Sequence, residues 1–131
     1  MFKNTKAFSG FSVDDAEKAK RFYSDVLELE VTQDTKMGGI LTLHINGGTR
    51  ILAYPKPNHQ PASFTILNFP VEDIQSAVKD LKQRGVKFES YDLENFKTDE
   101  DNIFRGGGPL IAWFTDPAGN ILSVIEAPEI M

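Results

Sequence analysis

One order of predicted elements occurs twice along this chain, and this internal repeat limits the fold more than any other feature. Residues 6–13 alternate like a half-buried strand, and the residues after them keep apolar positions at helical spacing. The order begins again after a proline-rich linker at 55–63, and Val71-Glu72-Asp73 matches Val13-Asp14-Asp15 at an offset of 58 residues. Three predicted strands follow the helix in each copy. The repeated unit is therefore βαβββ.

The repeat predicts an α+β fold. We expect two βαβββ modules, residues 1–56 and 62–131, to pair into a curved, cupped mixed β-sheet with the helices on its outer face. A chain of 131 residues is typical of one domain, so we interpret 1–131 as a single domain. Concave surfaces of this kind commonly bind small ligands.

Local signals place the boundaries of several elements. Asp14 and Glu17 form a capping-box-like pair at the start of the first helix, and Gly85 is expected to end the second. A strand is expected over 86–93. Pro117 and Gly119, in Asp-Pro-Ala-Gly-Asn, predict a tight turn before the last strand.

Composition excludes several functions. The net charge of −5 and the lack of a basic run argue against nucleic-acid binding. The absence of cysteine excludes disulfides, thiolate catalysis and cysteine-ligated metal. No apolar stretch approaches the length of a membrane span, so we expect a cytoplasmic protein without a membrane partner.

Three stretches carry a resemblance to a known family. They are FSVDDAEKAKRFYSDVLELEV, FPVEDIQSAVKDLKQRGVKF and IAWFTDPAGNILSVIE. Their Val-x-Asp helix entry, Phe-Tyr pair and Asp-Pro-x-Gly-Asn turn resemble the vicinal oxygen chelate superfamily, which includes glyoxalases, fosfomycin-resistance enzymes, extradiol dioxygenases and bleomycin-resistance proteins. The resemblance covers nearly the whole chain apart from residues 92–108. Glu28 departs from it, because the family usually has Gly there.

The resemblance also indicates where a metal site would lie. In the commonest pattern of the metal enzymes, a His precedes the Asp of Val-x-Asp by seven residues in each copy, and a Glu follows the Asp of the turn by seven. The matching residues in this sequence are Phe8, Ile66 and Ser123. Another ligand of some members would fall within 52–54, which is Leu-Ala-Tyr. None of these is a usual ligand for a divalent metal, so we predict that the protein has no metal cofactor.

A ligand pocket is predicted from the same positions. Phe8, Ile66 and Trp113 would form apolar walls, with Asn68 and Ser123 as polar groups that orient a ligand. The alternative is that these side chains close on one another as a second core. Whether Trp113 or Phe114 faces the pocket stays open, because a register change of one residue exchanges the two faces of a strand.

The segment 92–108 has two interpretations. It is a mobile lid, with Phe96 and Phe104 as anchors, the glycines 106–108 as hinge and Arg105 reaching an anionic ligand, or it is a long surface loop.

Two histidines and one glutamate complete the candidate chemistry. His44 and His59 are interpreted as a strand-surface and a loop residue, although either could act as an acid or base. Glu126 lies an odd number of residues past the expected ligand position and is interpreted as an exposed edge charge. These three residues have no spacing that supports a metal site.

These observations lead to a functional hypothesis. We expect a metal-free protein that binds a small, partly apolar or aromatic molecule, as bleomycin-resistance proteins do, and the resemblance implies a homodimer. One alternative is a lyase, isomerase or oxygenase with a non-standard metal site, or with acid-base chemistry by Asn68, Ser123 or Arg105. Another is a protein-interaction module whose cup is filled by its own side chains.

Overall fold

The computed structural model describes residues 1–126, so the last five residues of the second predicted module, 127–131, lie outside the described residues. The chain divides into two compact units, Met1–Pro61 and Ala62–Met131. Strands and a few helical segments make up both units, which confirms the α+β class. Within the described part of the chain, no helix is long and apolar enough to cross a membrane.

The first unit contains a four-stranded mixed sheet. Strand β1 pairs in parallel with β4, β4 pairs antiparallel with β3, and β3 pairs antiparallel with β2. The strand order is therefore β1-β4-β3-β2. The elements are β1 Ser9–Val13, α1 Ala16–Arg21, β2 Glu30–Asp34, β3 Ile40–Ile45 and β4 Thr49–Pro55. A π-helical stretch, Phe22–Val26, continues α1, and 3-10 turns span Thr35–Met37 and Asn46–Gly48.

The core of the first unit lies between α1 with its π-helical extension and one face of this sheet. Helix α1, with the buried Ala19, packs on β3 and β4, and the buried Tyr23 of the π-helical stretch contacts the ring of Phe11 on β1, with centroids 5.8 Å apart. The helix begins one residue later than expected: Asp15 is the N-cap, and its Oδ1 accepts the N–H groups of Glu17 and Lys18 at 3.0 and 3.1 Å. The prediction of Asp14 as the capping residue is therefore wrong, because Asp15 caps the helix.

Glu28, which departs from the family pattern, has a φ of 60°. A glycine adopts this left-handed conformation without steric cost, which explains the family's preference.

The second unit repeats the arrangement with a smaller sheet. Strand β5 pairs in parallel with β9, and β9 pairs antiparallel with β8, in the order β5-β9-β8. Its elements are β5 Thr65–Pro70, α2 Ile74–Gln83, β6 Asp92–Leu93, β7 Phe96–Lys97, β8 Leu110–Thr115 and β9 Ile121–Glu126. The helix α2 packs on β8 and β9, and it buries Ile74 and Val78.

The strand expected over 86–93 is wrong for most of its length. It is reduced to a single bridge between Phe88 and Phe114, and the short strand β6 then pairs with β7 as a separate hairpin. In this hairpin Leu93 pairs directly with Phe96 across the two-residue connection Glu94-Asn95. The strands β6 and β7 therefore form a two-stranded sheet that is separate from the sheet β5-β9-β8. This departure creates the site described below.

Both ends of α2 are capped. Asp73 Oδ1 accepts the N–H of Ser76 at 3.2 Å, and the Ser76 hydroxyl donates to Asp73 Oδ2 at 3.0 Å. Glu126 Oε2 accepts the N–H of Ile74 at 2.9 Å, so the interpretation of Glu126 as an exposed edge charge is wrong. The N–H groups of Gly85 and Val86 donate to Lys82 and Leu81 oxygens, the Schellman pattern that the predicted glycine stop implies.

Candidate functional site: an aromatic cavity in the second unit

Three of the predicted ligand residues form one row across the sheet of the second unit. Ser123 pairs with Trp113 on one side and with Asn68 on the other, so their side chains share one face. The Ser123 hydroxyl donates a hydrogen bond to Asn68 Oδ1 at 2.5 Å and is fully buried. Phe114 pairs with Leu122 on the opposite face, and both are fully buried. Trp113, and not Phe114, therefore lies on the face that carries the row.

A β-bulge in β5 changes which residue completes this face. Thr65 pairs with Ile121 and Leu67 with Leu122, which leaves Ile66 as the extra residue between them. The partners of Thr65 and Asn68 on β9 are Ile121 and Ser123, which are two positions apart, so Thr65 shares the face of Asn68. The Oγ1 atom of Thr65 accepts the indole Nε1–H of Trp113 at 3.1 Å. The bulge thus supplies a hydroxyl where uninterrupted alternation would place an isoleucine.

Four aromatic rings pack together beside the row. Tyr91 meets Trp113 edge-on, with ring centroids 5.5 Å apart, and meets Phe96 in the same manner at 5.0 Å. Phe96 stacks on Phe104 at 4.8 Å and contacts Trp113 at 5.2 Å. Edge-to-face and offset stacking are the favourable geometries of aromatic pairs. We call Tyr91, Phe96, Phe104 and Trp113 the aromatic cluster.

The segment 92–108 holds two of these rings in place. The backbone of Phe104 forms isolated β-bridges with Thr98 of the segment and with Ile111 on β8. The N–H of Phe104 donates to the backbone carbonyl oxygen of Ile111 at 2.7 Å. Gly106 permits the path of the chain, because a Cβ there would lie 2.6 Å from the Phe104 ring. The predicted anchors Phe96 and Phe104 therefore contact Trp113 directly.

A loop network involving Asp99 strengthens the segment. Asp99 Oδ1 accepts the N–H groups of Asp101 and Ile103, and Arg105 Nε donates to Asp99 Oδ2 at 2.7 Å. Desolvation raises the pKa of Asp99, but the hydrogen bonds from Arg105, Ile103 and Asp101, with the Arg105 charge, outweigh it and hold the pKa below the ordinary value of 3.8. Arg105 is thus an internal ion-pair partner of this segment.

A cavity of about 260 Å³ opens beside the aromatic cluster. Its walls are mostly aromatic and aliphatic, with two hydroxyl residues: Ser63, Phe64, Thr65, Tyr91, Leu93, Phe96, Trp113 and Ile121. Among residues 1–126, no carboxylate, ammonium or guanidinium group lines it. Burial, with a smaller effect of Glu89, raises the pKa of Tyr91 above 10.0, so its phenol is neutral at physiological pH.

The remaining predicted residues lie elsewhere. Phe8 belongs to the first unit, where its ring is 60% exposed and lines a different recess. Ile66, Asn68, Ser123 and Arg105 do not line the aromatic cavity, so Trp113 is the one predicted ligand residue among its lining residues in the described part of the chain. His44 Nε2 is hydrogen-bonded to Thr32 Oγ1 at 2.9 Å, and His59 Nδ1 to Ser12 Oγ at 2.6 Å.

The turn before β9 has the geometry that its motif predicts. Asp116 Oδ1 accepts the N–H groups of Ala118 and Asn120, and the Asn120 side chain donates to Asp116 Oδ2 at 3.1 Å.

Over residues 8–124, the chain matches the family model of the Glyoxalase/Bleomycin resistance protein/Dioxygenase superfamily. The chain belongs to this superfamily. No curated protein matches it.

Solved structures of the superfamily show the same fold. A member from Sphaerobacter thermophilus is 25% identical, with a TM-score of 0.68, over 93% of this chain and 97% of that one. TnmS3, an antibiotic binding protein from Streptomyces sp. CB03234, is 22% identical, with a TM-score of 0.64, over 95% and 98% of the two chains. The fosfomycin resistance protein FosX from Listeria monocytogenes is 12% identical, with a TM-score of 0.70, over 95% and 91%.

The superfamily's metal chemistry does not fit the residues of this chain. The side chains of Phe8 and Ile66 have no atom that can coordinate a metal. The hydroxyl of Ser123 is fully buried and donates a hydrogen bond to Asn68 Oδ1. Among residues 1–126, no three His, Cys, Asp or Glu side chains lie close enough together to hold a metal ion. We therefore derive no step through a metal.

Sequence reasoning missed six residues of the cavity: Ser63, Phe64, Thr65, Tyr91, Leu93 and Ile121. Thr65 was hidden by the bulge, which alternation alone cannot reveal. Tyr91 was assigned to the strand over 86–93, and no local signal marks that the pairing with β8 is reduced to the bridge at Phe88. Ser63 is the last residue of the proline-rich linker and Phe64 directly follows it, and no periodic pattern there marks the direction of their side chains.

Proposed function

We propose that this protein binds a small, uncharged aromatic molecule in the aromatic cavity and does so without a metal. The observation that supports this most directly is the lining itself, in which Phe64, Tyr91, Phe96 and Trp113 surround a volume of about 260 Å³. Pockets for drug-sized ligands start at roughly 300 Å³, so the ligand, or the part of it that enters, is small.

The chemistry of the walls selects the ligand class. Burying a charged group in a lining without a countercharge is unfavourable, whereas an aromatic ring gains apolar burial and edge-to-face contacts. The hydroxyls of Ser63 and Thr65 can hydrogen-bond one polar substituent, although Thr65 Oγ1 already accepts from Trp113. A flat ring system with at most one hydroxyl or amine fits these constraints.

Sequestration is the mode of action that we propose. The structures similar to this one include the antibiotic binding protein TnmS3, which supports a binding role for such a fold. We also propose a homodimer, which rests on the superfamily resemblance, and a cytoplasmic location, which rests on the sequence. Light scattering of the purified protein tests the first of these.

Isothermal titration with 2-naphthol, and with cyclohexanol as a non-aromatic comparison, tests the binding proposal. We expect saturable binding of 2-naphthol and at least a tenfold weaker response to cyclohexanol, because the loss of ring contacts costs about 1.4 kcal/mol or more. The Tyr91→Ala and Phe96→Ala substitutions should weaken binding about tenfold each, whereas Phe2→Ala, at an exposed ring outside the cavity, should not. Equal effects of all three substitutions, or equal binding of both compounds, would contradict the proposal.

A further inference from the structure

A second recess, in the first unit, combines two cations with an exposed ring. It has a volume of about 440 Å³ and lies where β1 and β4 begin, beside the turn Asn46–Gly48. Lys6, Phe8, Ser9, Thr49 and Arg50 contribute to its lining. Its composition differs from that of the aromatic cavity, because it holds charged groups of one sign.

The charges of this recess are unbalanced. Lys6 and Arg50 line it, and no Asp or Glu of the described residues does. Within residues 1–126, neither cation takes part in an ion pair; the described pairs are Arg84–Asp80, Lys97–Asp92 and Arg105–Asp99. In a chain with a net charge of −5, two cations that line one recess, with no carboxylate among its described lining residues, form a local positive site.

The strand register brings the ring and the guanidinium group together. Ser9 pairs with Ile51 in the parallel β1–β4 ladder, so the preceding residues, Phe8 and Arg50, lie next to each other on neighbouring strands. Ile51 is only 8% exposed and faces the core, and its neighbours along the strand face the other way. Phe8 therefore offers an apolar surface beside Arg50, on the face of the sheet opposite the core.

We propose that this recess binds a small organic anion, whose oxyanion group lies between Lys6 and Arg50 and whose apolar part rests on Phe8. A planar guanidinium donates two parallel hydrogen bonds to a carboxylate or phosphonate, and Lys6 adds a second charge. An exposed aromatic ring next to this pair favours an anion on an aromatic ring over a bare inorganic ion. This site is distinct from the aromatic cavity, which takes an uncharged ligand, and either can fail without the other.

Titration of the full-length protein with benzoate, phenylphosphonate and inorganic phosphate tests the proposal, with affinities from isothermal titration and backbone amide shifts from NMR. We expect benzoate and phenylphosphonate to bind more tightly than phosphate and to shift the amides of Gly47, Gly48 and Thr49. The Arg50→Gln and Lys6→Gln substitutions should each weaken binding about tenfold, as expected for the loss of a charge-assisted hydrogen bond. Phe8→Ala should remove the preference over phosphate.

Arg21→Gln is the matched control, because Arg21 is an exposed cation of the same unit outside the recess. It should leave the affinity unchanged, and thermal melting should show that all variants fold. Absence of benzoate binding, amide shifts confined to other residues, or an equal loss in Arg21→Gln would overturn the proposal. Benzoate binding that persists in the Lys6→Gln/Arg50→Gln double variant would overturn it too.

Discussion

Ser123 and Asn68 are joined by a hydrogen bond of 2.5 Å across neighbouring strands, and Ser123 is fully buried. Ser123 occupies the position at which the metal enzymes of the superfamily are expected to present a carboxylate. Here the hydroxyl donates to an amide oxygen of the same sheet face, and Trp113 lies on its other side. Asn68, Ser123 and Trp113 thus form one row across strands β5, β9 and β8, and Trp113 lines the aromatic cavity.

The Ser123–Asn68 contact should have a measurable coupling energy. In a double-mutant cycle of Ser123→Ala and Asn68→Ala, followed by urea unfolding, we expect a coupling of about 0.5–1.5 kcal/mol, the usual net value of an intramolecular hydrogen bond. The cycle of Ser123→Ala with Asn95→Ala, at an exposed amide in the β6–β7 turn, is the control and should be additive. Additivity in both cycles would show that the Ser123–Asn68 bond contributes nothing to stability.

Arg105 should stabilise the segment that carries Phe104. Arg105→Gln removes the charged partner of Asp99, so the Ile103 amide, which donates to Asp99 Oδ1 at 2.9 Å, should exchange its hydrogen faster. The side chains of Arg105 and Asp99 are 42% and 31% exposed, so the global stability should fall by less than about 1 kcal/mol. Arg84→Gln, which removes the pair with Asp80 on α2, should leave the Ile103 amide unaffected. Unchanged exchange in Arg105→Gln would contradict the assigned role.

The cap of α2 should make stability depend on pH in the acidic range. The backbone hydrogen bond from Ser76, followed by that from its hydroxyl, lowers the pKa of Asp73 below 3.8 in spite of desolvation, and the Gln75 N–H adds to this. A carboxylate whose pKa is lower in the folded state stabilises the fold above its unfolded pKa, and this contribution is lost as the pH falls through the folded pKa.

The Asp73→Asn substitution distinguishes the effect of the carboxylate charge on stability from that of the capping hydrogen bond. Asparagine retains a capping oxygen but does not titrate, so this variant should lose less stability than Asp73→Ala at pH 7, and its stability should decline less between pH 5 and pH 2 than that of the unmodified protein. Urea unfolding across this pH range measures both effects. Identical pH profiles for Asp73→Asn and the unmodified protein would show that Asp73 contributes no linkage.

Much of the fold was predictable because its signals are local. Apolar spacing, the Gly85 stop and the Asp-Pro-x-Gly-Asn turn depend on neighbouring residues, and the repeated order of elements follows from them. The same regularity allowed the positions of Phe8 and Ser123 to be counted from the aspartates. The capping residue Asp15 was missed by one position, which is the usual uncertainty of a helix end.

The aromatic cavity was less predictable because it depends on contacts between distant segments. Trp113 was a candidate from its strand, but its contact with Tyr91 and Phe96 requires the chain to leave the sheet after Phe88. Ile66 was placed on the ligand face by alternation, and one inserted residue gave that place to Thr65. Such bulges and loop paths are set by tertiary packing, so spacing along one sequence does not reveal them.

The most direct test of the central claim uses Trp113, the single tryptophan of the chain, whose indole N–H gives one resolved NMR signal. The protein, first treated with a chelator and desalted, is titrated with 2-naphthol while this signal is followed. Our account predicts a saturable shift of the indole signal that is the same with and without added Zn²⁺ or Ni²⁺. A signal that does not shift, or that shifts only after metal is added, would contradict metal-free binding in the aromatic cavity.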